Sequence, residues 1–287
     1  MKTYQIITDS CCDFTQEQYK TLDLAWVKLT LMYQGRELES VSEPEQLHDF
    51  YDGIRAGEMP TTSAVNPRGW AAEMEKSLMK GLDVLCLTFT SALSTTYQSA
   101  VIAAGELREK YPERKIMVVD TLCAALGQGL LVHYACRKRD EGLSLEELAA
   151  WVEENRKHIC HWVTVDDLNH LKRGGRISAA TALMGGMLNI KPIIHVDDEG
   201  RLVNVGKCRG RKAAMELLAG KLAETGTDVE TIFIAHGDCP QDAAALEKLC
   251  REKCPAVKHV LTGYVGSVIG AHTGPGVLVV FFLGTHR

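Results

Sequence analysis

The first 160 residues alternate short apolar runs with stretches whose apolar positions recur every three or four residues. Tyr4–Thr8, Leu24–Leu31, Asp83–Phe89 and Lys115–Val119 read as strands. The run Asp83–Phe89 (DVLCLTF) is apolar almost throughout, as expected of a strand covered on both faces. Helical patterns separate the runs. One spans about Ser94 to Lys110, one ends near Gly142, and one is capped by Ser144, with Glu147 completing a capping box. Strands alternating with helices of this length predict βαβ units and a parallel sheet.

The rhythm changes after residue 160. His161–Val165 reads as a strand and Asp166–Leu171 as a brief helix. Ile190–Val196 and Arg201–Lys207 flank Asp197-Asp198-Glu199-Gly200, a predicted hairpin. Helix Arg211–Glu224, strand Thr231–Ala235, helix Gln241–Lys253 and strands Val257–Leu261 and Gly276–Leu283 follow. The expected architecture is α/β with two domains: an N-terminal parallel-sheet α/β domain over residues 1–159, and a C-terminal α+β domain with a mixed sheet over 160–287. A chain of 287 residues suits that division.

Composition narrows the function classes. Hydrophobic residues make up 46%, enough for a sizeable core. The net charge of −5 excludes a surface built as a whole for nucleic acid or anionic membrane. No apolar run reaches the roughly 18 residues of a membrane span, and Met1–Asp9 reads as a strand rather than a signal peptide. A cytoplasmic location without stable membrane insertion is therefore expected. The ten cysteines scatter through predicted strands and helices and are expected to be reduced thiols.

Four segments carry candidate chemistry. Thr88–Ser99 (TFTSALSTTYQS) packs hydroxyl side chains where a buried strand gives way to a helix, and the N–H groups of a helix start suit an anion. The plainer alternative is that Ser91 or Ser94 only caps that helix. Met59–Pro67 (MPTTSAVNP) is held extended by its two prolines, which would present Thr61, Thr62 and Ser63 rather than bury them in a ladder. Asn66 before Pro67 fits an N-cap and first helical position. His170–Ser178 (HLKRGGRIS) opens a basic region: from Lys172 to Lys212 there are nine Lys/Arg and three acidic residues. Gly174 and Gly175 there permit close backbone approach, and Arg176 offers a fork for carboxylate or phosphate. Gly263–Gly276 sets His272 among small residues.

Other signatures are missing. The chain has no G-x-x-x-x-G-K-[ST] loop, no G-x-G-x-x-G after the first strand and no G-x-S-x-G elbow. His158, Cys160 and His161 lack a second half for a zinc site, so no metal is expected. No aromatic residue lies between Trp162 and Phe233 to stack on bases, and no helix-turn-helix signal is present, so no nucleic-acid partner is expected.

Together the segments resemble the DegV family. Its opening T-D-S followed by Asp reads here as Thr8-Asp9-Ser10 and Asp13, and its T-S turn as Thr62-Ser63. Its S-G-L-S-G-T-Y becomes Ser91-Ala92-Leu93-Ser94-Thr95-Thr96-Tyr97. The L-x-x-G-G-R-I-S block is Leu171–Ser178, I-K-P is Ile190-Lys191-Pro192, and the A-H-x-G-x-G ending is Ala271–Gly276. The resemblance implies a carrier that binds one long-chain fatty acid, its tail buried and its carboxylate at the domain interface. Some members act as the acyl-carrying partner of a fatty acid kinase, which makes acyl phosphate for phospholipid synthesis. It implies no catalysis by this chain and no cofactor. By the same resemblance Thr62 and Ser94 would bind the carboxylate, with Ser63 and Thr96 beside them. Arg176, Arg209 and His272 would line the exit where phosphate arrives or the kinase docks. Ala92 and Thr95 stand where the family has glycines, and Asp120–Ala125 dilutes its Ser-rich stretch. The alternative is a small-molecule acyl- or phosphoryl-transfer enzyme using the Ser/Thr, Arg and His cluster. It lacks a paired acid and base and the signature of an activated nucleophile.

Overall fold

A computed structural model of the chain describes residues 3–178 and 189–287. Seven strands precede residue 121: β1 (Tyr4–Asp9), β2 (Ala25–Val27), β3 (Thr30–Tyr33), β4 (Arg36–Glu39), β5 (Thr61–Ser63), β6 (Asp83–Thr88) and β7 (Ile116–Asp120). Among the described residues six follow: β8 (Ile159–Thr164), β9 (Ile190–Val196), β10 (Leu202–Arg209), β11 (Thr231–His236), β12 (His259–Tyr264) and β13 (Leu278–Leu283).

Strands β2-β1-β6-β7 form the expected parallel sheet. Alternation along β1 and β6 sends Ile6, Leu85 and Leu87 to one face and Ile7, Val84 and Cys86 to the other. Helices Leu126–Asp140 and Leu145–Asn155 cover the first face, Pro67–Leu78 and Thr96–Lys110 the second. Each fully buried Leu or Ile contributes about 1.5–3 kcal/mol, so a sheet apolar on both faces needs helices on both. Ser144 caps its helix with Glu147 as expected, and Asn66 accepts from Gly69 N at the start of Pro67–Leu78.

The run Leu24–Leu31 is not one strand. Ala25–Val27 pairs with β1, whereas Thr30–Tyr33 leaves to form a small antiparallel sheet of order β4-β3-β5. The break falls where Leu29 N donates to Ser10 Oγ at 3.0 Å, a partner that a continuous apolar run cannot reveal. Residues 61–63 likewise depart from expectation. They lie in a ladder as β5, an edge strand pairing Thr62 with Leu31. The extended conformation enforced around Pro60 is the one a strand needs, and an edge position tolerates the flanking prolines.

The second half forms a six-stranded mixed sheet of order β10-β9-β8-β13-β11-β12, in which only β11 and β12 run parallel. Helices Arg211–Thr225 and Pro240–Lys253 cover one face, packing on Ile193, Ile232, Ile234, Leu278, Val280 and Phe282. The predicted 197–200 hairpin turn joins β9 to β10, with Gly200 at φ +80°. The brief helix expected at Asp166–Leu171 runs instead over Asn169–Arg173, because Asp167 turns its carboxylate onto Asn169 N before the helix begins. The strand expected at Val257–Leu261 is His259–Tyr264. The division expected between 159 and 160 falls one residue into β8. All ten cysteines are free thiols, and no described helix is long and apolar enough to cross a membrane.

Candidate functional site

A cavity of about 470 Å³ lies between the C-terminal ends of the parallel strands and the face of the six-stranded sheet opposite Arg211–Thr225 and Pro240–Lys253, a face that helix Leu126–Asp140 covers in part. The sheet supplies its wall by alternation. Val163 pairs with both Val279 and Ile194, forming one row across three strands, and His161 pairs with Phe281 in the next. Their chain neighbours Cys160, Ile193, Val280 and Phe282 face the helices instead. Opposite stand Phe89 and Leu93 after β6, and Ala124 and Ala125 after β7. This is the crevice beyond the carboxyl ends of parallel strands where ligands of such sheets bind. Leu122 and Ala125 take φ of 53° and 54° beneath it, a backbone cost of about 1–3 kcal/mol each.

His161 belongs to this wall, not to a metal site. Its Nδ1–H donates to Ile159 O at 2.8 Å, and Nε2 accepts from Ala124 N at 3.2 Å. Burial holds its pKa well below the usual histidine range, so it offers the cavity a neutral ring whose nitrogens are already satisfied.

The mouth is polar. Thr62, Ser91, Ser94, Thr95, Arg176, His272 and Thr273 line it, and an outer pocket of about 330 Å³ continues past it. Thr62, Arg176 and His272 border both spaces and so form the neck. The His272 Nε2 and Thr62 Oγ1 atoms are 2.7 Å apart. Burial, with the Arg176 charge nearby, depresses the His272 pKa to about 4, so the ring is neutral near pH 7. Gly174 makes this packing possible, since a Cβ there would collide with His272 Nδ1. Arg176 donates through Nε to Leu93 O at 3.2 Å and through Nη1 to Gly174 O, tying the basic segment to the hydroxyl-rich loop. Neutral donors beside a fixed guanidinium suit a single carboxylate at the end of an apolar tail.

The DegV family model, described as that of an uncharacterised protein, matches residues 3–285. The chain belongs to the DegV family. A DegV domain-containing protein of Clostridium perfringens is 45% identical over 287 residues, covering 99% of this chain and 98% of the relative. A DegV protein of Thermus thermophilus, described as fatty-acid-binding, is 33% identical with a TM-score of 0.87, covering 98% of this chain and 99% of that one. The fatty acid kinase B3 protein of Streptococcus pneumoniae, loaded with linoleic acid, has the same fold: TM-score 0.84 at 21% identity, over 98% and 99% of the two chains.

In this DegV chain Thr62, Ser94, Arg176 and His272 converge, and the other three expected residues do not line the cavity. Ser63 is exposed. Thr96 is fully buried and supports Ser94, its Oγ1 lying 2.9 Å from Ser94 Oγ. Arg209 is exposed at the end of β10. Ser94 does not cap the helix in the ordinary way: the cap position is Thr95, whose side chain makes no capping bond. Ala92 and Thr95 both avoid positive φ, so the loop accepts side chains at these two positions without strain.

The basic region is less exposed as charge than its composition implies. Lys191 pairs with Asp166 at 2.6 Å, Arg211 with Asp242 at 2.8 Å, and Arg201 with Asp197 at 2.9 Å. Asp166 and Asp242 lie outside the 172–212 window, so counting within it overstated the field. Sequence reading also missed the wall residues and Asp120, whose carboxylate accepts from Ser91 N and Leu122 N. The unbroken apolar run of β13 (LVVFFL) signals a strand covered on both faces, and nothing in it marks which face forms the wall.

Proposed function

We propose that this protein is a fatty-acid carrier: it buries the tail of one long-chain acid, holds the carboxylate at the neck, and presents it to a fatty acid kinase. The reading places the acid between an N-terminal unit, residues 1–159, and a C-terminal unit, residues 160–287. One observation carries it. An apolar cavity of about 470 Å³ ends in a cluster of neutral donors with a cation beside them. A sixteen-carbon tail gains on the order of 11 kcal/mol gross at about 0.8 kcal/mol per methylene, before binding costs. The buried carboxylate is the costly part and requires hydrogen bonds. A neutral His272 that donates to Thr62 Oγ1 leaves the Thr62 hydroxyl free to donate to the acid. Ser94 supplies a second hydroxyl and Arg176 faces an incoming phosphoryl group. The family relatives described as binding fatty acids support the ligand, and the fold shared with a fatty acid kinase protein supports the partner. In this reading the kinase supplies the catalysis and Arg209, exposed, belongs to the docking face.

Mass spectrometry of the purified protein, native and then extracted, tests it. One fatty acid per chain is expected, and both Ser94→Ala and Thr62→Ala should weaken its binding. A protein that arrives empty and refuses added acid overturns the reading. A second reading, an acyl- or phosphoryl-transfer enzyme, draws on the 2.7 Å hydroxyl–imidazole contact. His272 Nδ1 faces the backbone at Gly174, whereas an activating base is normally oriented by a third group. Turnover of an acyl ester by the pure protein would favour this second reading.

A further inference from the structure

From the last residue of β1 to Asp13 stand three polar side chains within five residues, and each contacts a different segment that leads to a polar residue of the mouth. Asp9 is fully buried; its Oδ1 accepts from Cys11 N at 3.0 Å and its Oδ2 from Phe89 N at 2.7 Å. Phe89 opens the loop that carries Ser94. Ser10 Oγ accepts from Leu29 N at 3.0 Å, one residue before β3, whose Leu31 pairs with Thr62. Asp13, 4% exposed, sets its carboxyl against Gly266, the residue before the helix Ser267–Thr273 that bears His272. A Cβ on Gly266 would lie 2.5 Å from Asp13 Oδ1. The carboxyl faces the Gly266 amide without completing a full hydrogen bond.

We propose that Asp9, Ser10 and Asp13 form a positioning hub that sets Ser94, Thr62 and His272 at the spacing one carboxylate requires. The inference rests on the carrier reading above. Two buried carboxyls on one short turn are an expensive way to fill space, since apolar residues of similar size would cost less. What they add is direction. A hydroxyl a fraction of an ångström out of place forfeits its bond, and supporting contacts hold such groups in place. Burial pushes both carboxyls above the usual range, Asp9 to about 6.

The test compares hexadecanoic acid with hexadecan-1-ol, which has the same tail and no carboxylate, on the wild-type chain and on Asp9→Asn and Ser10→Ala. Each variant should bind the acid about tenfold more weakly while its affinity for the alcohol stays within about twofold. Equal losses for both ligands mean general loosening and overturn the hub, as does no loss for either. Should Asp9→Asn fail to fold, Ser10→Ala decides, because it removes one hydroxyl from a half-buried position. A wild-type chain that binds neither ligand overturns the carrier reading and the hub with it. A discriminating wild type with non-selective losses in the variants overturns the hub alone.

Discussion

Val163, Ile194 and Val279 reach the cavity because they occupy paired, alternate positions on three strands of one sheet. Thr62, Ser94, Arg176 and His272 reach its mouth from elements that share no sheet, and Thr62 meets His272 across 210 residues of chain. The difference lies in the kind of interaction each region must supply. A wall for an apolar tail works by burial, which is non-directional and spread over many side chains, so one altered residue changes volume more than binding. A carboxylate needs donors at fixed distance and angle, so each neck residue counts singly and its support must come from afar.

A charge placed in the wall should have the largest effect. Val279→Asp places an unpaired carboxylate in a dry sheet face, at a cost of several kcal/mol. Thermal unfolding should shift down by roughly 10 °C or more, and titration should detect no fatty-acid binding. A folded variant that binds normally would remove β13 from the wall.

Thr62→Val keeps the size and deletes the hydroxyl, leaving His272 Nε2 without its partner. Loss of this bond should cost about 1–3 kcal/mol, or roughly 5- to 150-fold in affinity for the acid. Calorimetry with acid and matching alcohol reads it, and an unchanged acid affinity would detach Thr62 from the head-group.

Acidification sharpens the contrast with smaller changes. His272 and His161 have depressed pKa values in the folded chain, so unfolding takes up protons once the pH falls below about 6.5. Their contribution is present above that pH and declines toward pH 4. Asp9 acts oppositely: its pKa is raised to about 6, so it favours folding as the pH falls through 6. Urea unfolding at pH 7 and pH 5 should therefore show a steeper acid loss in Asp9→Asn than in the wild type. His272 itself should titrate near pH 4 by NMR in the empty protein and higher with acid bound, because a neighbouring carboxylate favours the charged ring.

Ile194→Val is the mildest change. It should lower stability by about 1 kcal/mol and leave affinity within a few-fold, shifting preference toward slightly longer tails. A loss as large as that of Thr62→Val would refute a redundant wall.

Legibility in the sequence follows the same division. Strands β1, β6, β7 and β9, the helix capped by Ser144 and the 197–200 turn were readable because periodicity and capping are local. Thr62, Ser94, Arg176 and His272 were reached through motif resemblance, and nothing local could tell Ser94 from Ser63, or Arg176 from Arg209. Their difference is one of exposure and partners. The three-stranded sheet was hidden because β4 is exposed throughout and β5 reads as a proline-bounded loop.

Local side-chain pattern was enough for the alternation of strands and helices, the parallel first sheet, the mixed second one and the family. These depend on side chains close along the chain. Packing alone sets which sheet face lines a cavity, which cations are neutralised by Asp166 and Asp242, and how residues 9–13 touch three distant segments. Burial and hydrogen-bond geometry arise between segments, and they exist only once those segments have packed.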